Sequence, residues 1–174
     1  MAGCRGRPTT YLPAMHIRPA TAEDRPHIWA IIEPVIRAGE TYTLDRDMTE
    51  EEALAYWTGP DKETFVVEED GSILGTYYMR PNQAGGGSHV CNCGYMTAAQ
   101  ATGRGIARQM CLHSLDHARA RGYRAMQFNF VVSTNERAVR LWEQLGFGVV
   151  GRLPLAFSHP TRGYVDAFVM FQAL

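Results

Sequence analysis

The segment Thr102-Gly103-Arg104-Gly105-Ile106-Ala107 stands between a strand-like run and the most regular helical pattern in the chain. In that pattern Ala107, Met110, Cys111, Ser114, Leu115 and Ala118 fall at i, i+3, i+4, i+7, i+8 and i+11, forming one small-and-apolar stripe. Gly122 marks its end. Glycines ahead of a helix let the backbone approach a ligand closely. The first helical turn adds unpaired N–H groups and the positive end of the helix dipole. Together they predict an anion site suited to a pyrophosphate, with Arg104 and Arg108 able to add charge at its rim. A Gly-x-Gly before a helix also fits a plain tight turn, so the flanking elements decide.

Those elements alternate strands with helices, which points to an α/β or α+β layered fold. Met15–Pro19 is short and strand-like. Thr21 and Glu23-Asp24 open a helix with Ile28, Ile31, Ile32 and Val35 on its apolar face, and Gly39 ends it. Thr49 and three glutamates start a second helix that reaches about Trp57, with Gly59-Pro60 as the stop. Thr64–Glu68 and Ile73–Met79, joined by Glu69-Asp70-Gly71-Ser72, read as a hairpin. After a Gly-rich loop, His89–Thr97 is a strand, and Tyr123–Val132 is another beyond the striped helix. Ser133 and Glu136 have capping-box spacing and open a last helix carrying Ala138, Leu141, Trp142 and Leu145, closed by Gly146. Two strands, about Phe147–Leu153 and Tyr164–Phe171, flank a Pro-rich loop.

The 174 residues fit one domain with a sizeable core. We place that domain at residues 15–174, after a disordered extension over 1–14. Arg5 and Arg7, with no acid before Glu23, leave a transit peptide as the alternative for the extension. A formal net charge of -1 gives no electrostatic reason to expect nucleic acid or an anionic membrane as partner. No apolar run approaches the roughly 20 residues of a membrane helix. Cys4, Cys91, Cys93 and Cys111 suggest no disulfide framework. A cytoplasmic, reducing setting is the expectation.

Taken in order, the strand, Gly103-Arg104-Gly105-Ile106-Ala107, the helix, the next strand, Asn135-Glu136-Arg137-Ala138 and Leu145-Gly146-Phe147 resemble the Gcn5-related N-acetyltransferase (GNAT) superfamily. That family's loop motif, Arg/Gln-x-x-Gly-x-Gly/Ala, is met as Thr102-x-x-Gly105-x-Ala107, with Thr in the first place. A second register, Gln100-x-x-Gly103-x-Gly105, fits every letter but sets the glycines away from the helix entrance. The resemblance implies a mixed, mostly antiparallel, twisted sheet of six to seven strands with about four helices. The fourth and fifth strands would splay apart. It implies acetyl-coenzyme A as co-substrate, with Tyr95, Met96 and Thr97 along the pantetheine and an N–H of this strand stabilising the oxyanion. Thr102 through Arg108 would hold the pyrophosphate, and Asn135, Ala138 and Trp142 would lie beside the cofactor. The partner would be a small-molecule amine, and the resemblance leaves a homodimer open.

His89-Val90-Cys91-Asn92, Phe128-Asn129-Phe130-Val131, Thr134-Asn135, the run Leu141–Phe147 and Val165-Asp166-Ala167 are similar to a narrower group. It comprises fungal acetyltransferases acting on proline analogues such as azetidine-2-carboxylate. Carried over, Asn92 would hold the acceptor's carboxylate or orient its amine, and Asn129 and Asn135 would position acetyl and pantetheine. A neutral amide both donates and accepts, so it orients such groups without ion-pairing them. Asn is disfavoured in strands, which makes Asn92 and Asn129 notable. Asn135 is equally at home as a helix cap.

Many superfamily members carry a Tyr on the last helix to protonate the leaving thiolate, where this chain has Trp142. Indole only donates, so Trp142 reads as a packing residue. A thiol with a pKa of about 8.5 is a tolerable leaving group without a strong acid. For the base, Glu40 ranks first, acting through water, and Tyr42 beside it would shape the acceptor site. His89 and His159 are further candidates. A metal at His89, Cys91 and Cys93 is not expected. Same-face strand residues sit about 6.5–7 Å apart, too far for bonds of about 2.3 Å to one ion. Acceptors of other kinds (a protein N-terminus, an aminoglycoside, a polyamine) stay open, as does a non-catalytic acyl-coenzyme A sensor.

Overall fold

The computed structural model describes residues 15–174, so the extension over 1–14, with Cys4, lies outside the described residues. The chain forms β1 (His16–Pro19), α1 (Arg25–Ala38), α2 (Glu50–Trp57), β2 (Glu63–Glu69), β3 (Ser72–Pro81) and β4 (Val90–Thr97). It continues through α3 (Ile106–Ala120), β5 (Ala125–Val132), α4 (Glu136–Gln144), β6 (Gly148–His159) and β7 (Gly163–Ala173). The seven strands make one sheet in the order β1-β2-β3-β4-β5-β7-β6. Every pairing is antiparallel except β4 with β5. No helix among the described residues is long and apolar enough to cross a membrane.

Strand alternation sends successive side chains of β3 to opposite faces. Thr76 and Tyr78 meet Trp57 of α2, through a 3.0 Å hydrogen bond from the indole N–H and an edge-on ring contact. Tyr77 meets His113 of α3 at 2.7 Å. Helices α1 and α2 thus cover one face, while α3 and α4 cover the other. The stripe of α3 is buried from Ile106, one residue earlier than its sequence pattern suggests, and Ala107 is only half-buried. An added Cβ at Gly75 would come within 2.8 Å of Ile106, so glycine lets α3 lie against β3.

Several boundaries differ from the sequence reading. Thr21 caps a single 3-10 turn, Ala22–Asp24, and α1 starts only at Arg25 with Pro26 in its first turn, where a missing N–H costs nothing. Helix α4 is capped by Asn135 rather than by a Ser133–Glu136 box: the Asn135 Oδ1 accepts the Ala138 N–H at 3.4 Å. Ser133 is instead tied by its own N–H to the Asp166 carbonyl. The Pro-rich loop is in fact strand. β6 runs to His159 through a bulge between Leu153 and Phe157, and the turn is short. Proline is tolerated there because β6 is an edge strand. Asp166 secures the bulge by accepting the Leu155 N–H at 2.9 Å and pairing with Arg152.

Asp24 is buried and takes two bonds from the Arg18 guanidinium, at 2.8 and 2.9 Å, plus the Thr21 N–H at 2.7 Å. The Arg18 bonds, followed by those of Thr21, hold its carboxyl well below the usual carboxylate range. A lowered folded-state pKa means that this stabilisation is complete above the ordinary carboxylate pKa and is lost as the pH falls below it. Asp24→Asn should therefore lower the unfolding free energy by about 3 kcal/mol at neutral pH and flatten the acid limb of the stability profile. Urea denaturation between neutral and acid pH measures both effects. An unchanged acid limb would remove Asp24 from the account.

Candidate active site

Strands β4 and β5 pair only at Val90–Ala125 and Cys91–Met126 and then diverge. The gap between them is the centre of a cavity of about 1070 Å³ that reaches both faces of the sheet. On the α3/α4 face it is lined by the turn entering α3 and the first turns of α4. On the α1/α2 face it is lined by Thr41, Tyr42, Thr43, Tyr56, Tyr78 and Arg80.

The α3 entrance has the geometry of a backbone cradle. Gly103 and Gly105 adopt φ of 86° and 78°, and an added Cβ at either would meet nothing within 4 Å. The backbone here is open to whatever enters the cavity. Thr102, Gly103, Gly105, Ile106, Ala107 and Arg108 all line it. Arg104 does not. Its guanidinium turns to the β2–β3 hairpin and binds Glu69 at 2.6 Å, so it adds no charge to the rim. Arg137 and Arg140 of α4 join Arg108 on this side, and sequence reasoning gave neither a role.

Alternate residues of an antiparallel strand turn both backbone groups away from their partner. Tyr95 turns its groups away from β3, and both meet the Tyr42 hydroxyl. That oxygen accepts the Tyr95 N–H at 2.9 Å and donates to the Tyr95 carbonyl at 2.9 Å. Alternation carries Thr97, which also lines the cavity, to the same side. Burial pushes the Tyr42 hydroxyl well above its ordinary pKa, so it stays neutral. Met96 points into the core and is absent from the lining.

The Tyr95 ring packs on the α3 face, where its hydroxyl bonds Ser114 at 2.7 Å. Trp142 lies 5.1 Å from that ring and 5.2 Å from Phe128 of β5, wedged between the diverging strands. Asn135 and Ala138 line the cavity beside it.

Across the sheet, amides bridge the gap in sequence. The Asn92 Nδ2 donates to the Gln127 carbonyl at 2.9 Å. The Gln127 Nε2 donates to the Asn129 Oδ1 at 2.8 Å, and the Asn129 Nδ2 to the Asn82 Oδ1 at 2.7 Å. Asn92 and Asn129 both line the cavity. Glu40 is exposed, just before the lining residue Thr41, and is not itself in the lining. His89 is exposed and His159 is buried at the end of β6, accepting the Thr161 N–H; neither lines the cavity. Among the described residues that line it, four are arginines and none is Asp or Glu.

The sequence pattern of the Acetyltransferase (GNAT) family matches residues 26–147. The chain belongs to this family. It is an N-acetyltransferase by that membership and by its relatives. The N-acetyltransferase aca1 of Schizosaccharomyces pombe is 31% identical over 153 residues, covering 77% of this chain and 72% of aca1. That fungal relative agrees with the narrower resemblance. A GCN5-related N-acetyltransferase from Kribbella flavida is 44% identical and superposes with a TM-score of 0.88, over 92% of this chain and 98% of its own. The yncA protein of Salmonella typhimurium, solved with its cofactor acetyl-CoA, shares the fold at a TM-score of 0.82 with 23% identity, over 92% of this chain and 94% of its own.

In this acetyltransferase Tyr42 is the partner of two part-buried backbone groups that turn away from β3. Tyr42→Phe removes both hydrogen bonds and should lower stability by about 1–3 kcal/mol. Chemical denaturation measures the change. A variant as stable as the parent would mean that water replaces the hydroxyl.

Proposed function

We propose that the enzyme transfers the acetyl group of acetyl-coenzyme A directly to the amine of a small molecule, an amino or imino acid in the first instance. The cavity through the β4–β5 gap carries this reading, because it joins a backbone anion cradle on one face to a polar amide-lined end on the other. Acetyl-coenzyme A supplies the acyl group as a reactive thioester. The backbone at Gly103–Ala107 holds its pyrophosphate at the α3 N-terminus, with Arg108, Arg137 and Arg140 around it. Tyr95 and Thr97 pair with the pantetheine as with an added strand, and Tyr42 yields its place on Tyr95. The Tyr95 N–H then stands where negative charge develops on the acyl oxygen. Trp142 packs against the cofactor and Asn135 borders it. Asn92 orients the acceptor, and Asn129 holds the amide chain behind it.

Among the described residues the lining holds no carboxylate, so the acceptor ammonium loses its proton to water. Glu40, exposed beside Thr41, takes that proton at the solvent boundary. A cytoplasmic setting suits three buried free thiols, Cys91, Cys93 and Cys111, the last pushed up to about 12 by burial. Val150, Leu155 and Tyr164 are exposed on the outer strand pair and favour a homodimer through that surface.

Thiol release from acetyl-coenzyme A across amino acids, imino acids, polyamines, aminoglycosides and an N-terminal peptide tests the reaction. Turnover is expected with amino or imino acids; binding of acetyl-coenzyme A without turnover on any amine would make the protein a sensor. In the same assay series, Gly105→Glu places a carboxylate against the pyrophosphate and should weaken acetyl-coenzyme A on the order of a hundredfold by calorimetry. Unchanged affinity would show that this loop holds no phosphate.

A further inference from the structure

Arg80 sits at the end of β3 directly opposite Asn92 of β4. Residues so opposed share a face of the sheet, with Cβ atoms about 4.5–5.5 Å apart. Both line the cavity. The Arg80 Nε is shielded from solvent and has no hydrogen-bond partner among the described residues. Its Nη1 reaches only Asp61, at 3.5 Å, the outer limit of a hydrogen bond. That carboxylate is already engaged by Lys62, whose Nζ donates to its two oxygens at 3.0 and 3.2 Å. Two cations therefore share one half-exposed carboxylate at this end of the cleft, and the described residues of the lining include no acid. A shielded guanidinium N–H without a partner is costly and marks a site built for something else to accept it.

From these observations we propose that Arg80 is the anion anchor of the acceptor site, and that the enzyme selects amines that carry a carboxylate. The proposal rests on the acetyl-transfer reading above and narrows its acceptor. A guanidinium offers Nε–H and Nη–H as a planar fork that matches a carboxylate in bidentate fashion. Asn92 completes the recognition. Its Nδ2 is committed to the Gln127 carbonyl, which leaves Oδ1 to accept an N–H from the acceptor amine. Carboxylate on Arg80 and amine over Asn92, side by side on one face, would suit an amino or imino acid, whose two groups are separated by one carbon. It also directs the amine toward the gap where Tyr95 lies. A polyamine or aminoglycoside brings further positive charge to an arginine whose one acidic neighbour, Asp61, is shared with Lys62, and is disfavoured.

The test compares L-azetidine-2-carboxylate and L-proline with their carboxamides, which keep the ring nitrogen and lose the charge. Thiol release from acetyl-coenzyme A is followed for the parent, Arg80→Met and Arg80→Lys. The full set of amino acids and their amides extends the comparison if neither ring is used. The parent should favour acids over amides. Arg80→Met should lower kcat/KM for the acid on the order of a hundredfold, leave the amide within about threefold, and leave acetyl-coenzyme A affinity unchanged by calorimetry. Arg80→Lys should recover part of the acid's rate, since the charge returns without the fork. Equal use of acids and amides by the parent, or an equal loss on both in Arg80→Met, would overturn the role of Arg80 and leave acetyl transfer standing. Binding of acetyl-coenzyme A with no turnover on any amine would overturn the acetyl-transfer reading itself, and this proposal with it.

Discussion

Strands β4 and β5 part after two residue pairs, and the backbone groups beyond that point must find partners other than a neighbouring strand. Buried N–H and C=O groups rarely go unpaired. Here side chains take the ladder's place. The Tyr42 hydroxyl serves both groups of Tyr95, and the Asn92 amide serves the Gln127 carbonyl. Trp142 fills the space between Tyr95 and Phe128 on the α3/α4 face. The gap is therefore a constructed feature, stabilised by groups from three elements and one loop. A ligand that offers amides along β4 can replace the Tyr42 hydroxyl at little net loss of hydrogen bonding, which is how a binding cleft can exist in the middle of a continuous sheet.

Charge divides the cleft into two ends. Arg108, Arg137 and Arg140 stand on the α3/α4 side with the open backbone of Gly103 and Gly105. Arg80 stands on the α1/α2 side, beside Asn92, and shares Asp61 with Lys62. With no acid among the described residues of the lining, both ends suit anions, and the proposed transfer would take place at the neutral middle around Tyr95. A near-zero net charge conceals this arrangement, because Asp and Glu are spent on surface pairs such as Glu69 with Arg104 and Glu63 with Arg121.

The periodicity of α3, the glycines before it and the hairpin spacing of β2 and β3 made the architecture legible from the residues, because each follows from local geometry. Thr49 and Glu52 form the capping box that the acidic start of α2 suggests. What could not be read was set by tertiary contact. β3 was expected to stop at Met79, where the apolar run ends, yet pairing with β4 carries it to Pro81. That extension places Arg80 opposite Asn92, so a residue that reads as loop becomes part of the cleft. Pro154 signals a loop but is absorbed by an edge-strand bulge that Asp166 closes from the neighbouring strand. Arg104 lies within the cradle motif and still turns away, because Glu69 is closer than the cavity. Pairings between residues 11 to 35 positions apart leave no local trace.

The central claim is that the gap beside Tyr95 receives the cofactor while the α3 entrance holds its phosphates. Backbone amide resonances of the 15N-labelled protein, titrated with coenzyme A and then acetyl-coenzyme A, test it directly. The amides of Gly103, Gly105, Ile106 and Ala107 should move with both ligands. Tyr95 and Thr97 should move as well, with slowed hydrogen exchange at Tyr95, and the Tyr42 resonances should shift as its hydroxyl leaves that position. Large shifts at the α3 entrance with Tyr95, Thr97 and Tyr42 unchanged would contradict the account, since the cofactor would then lie outside the gap between β4 and β5.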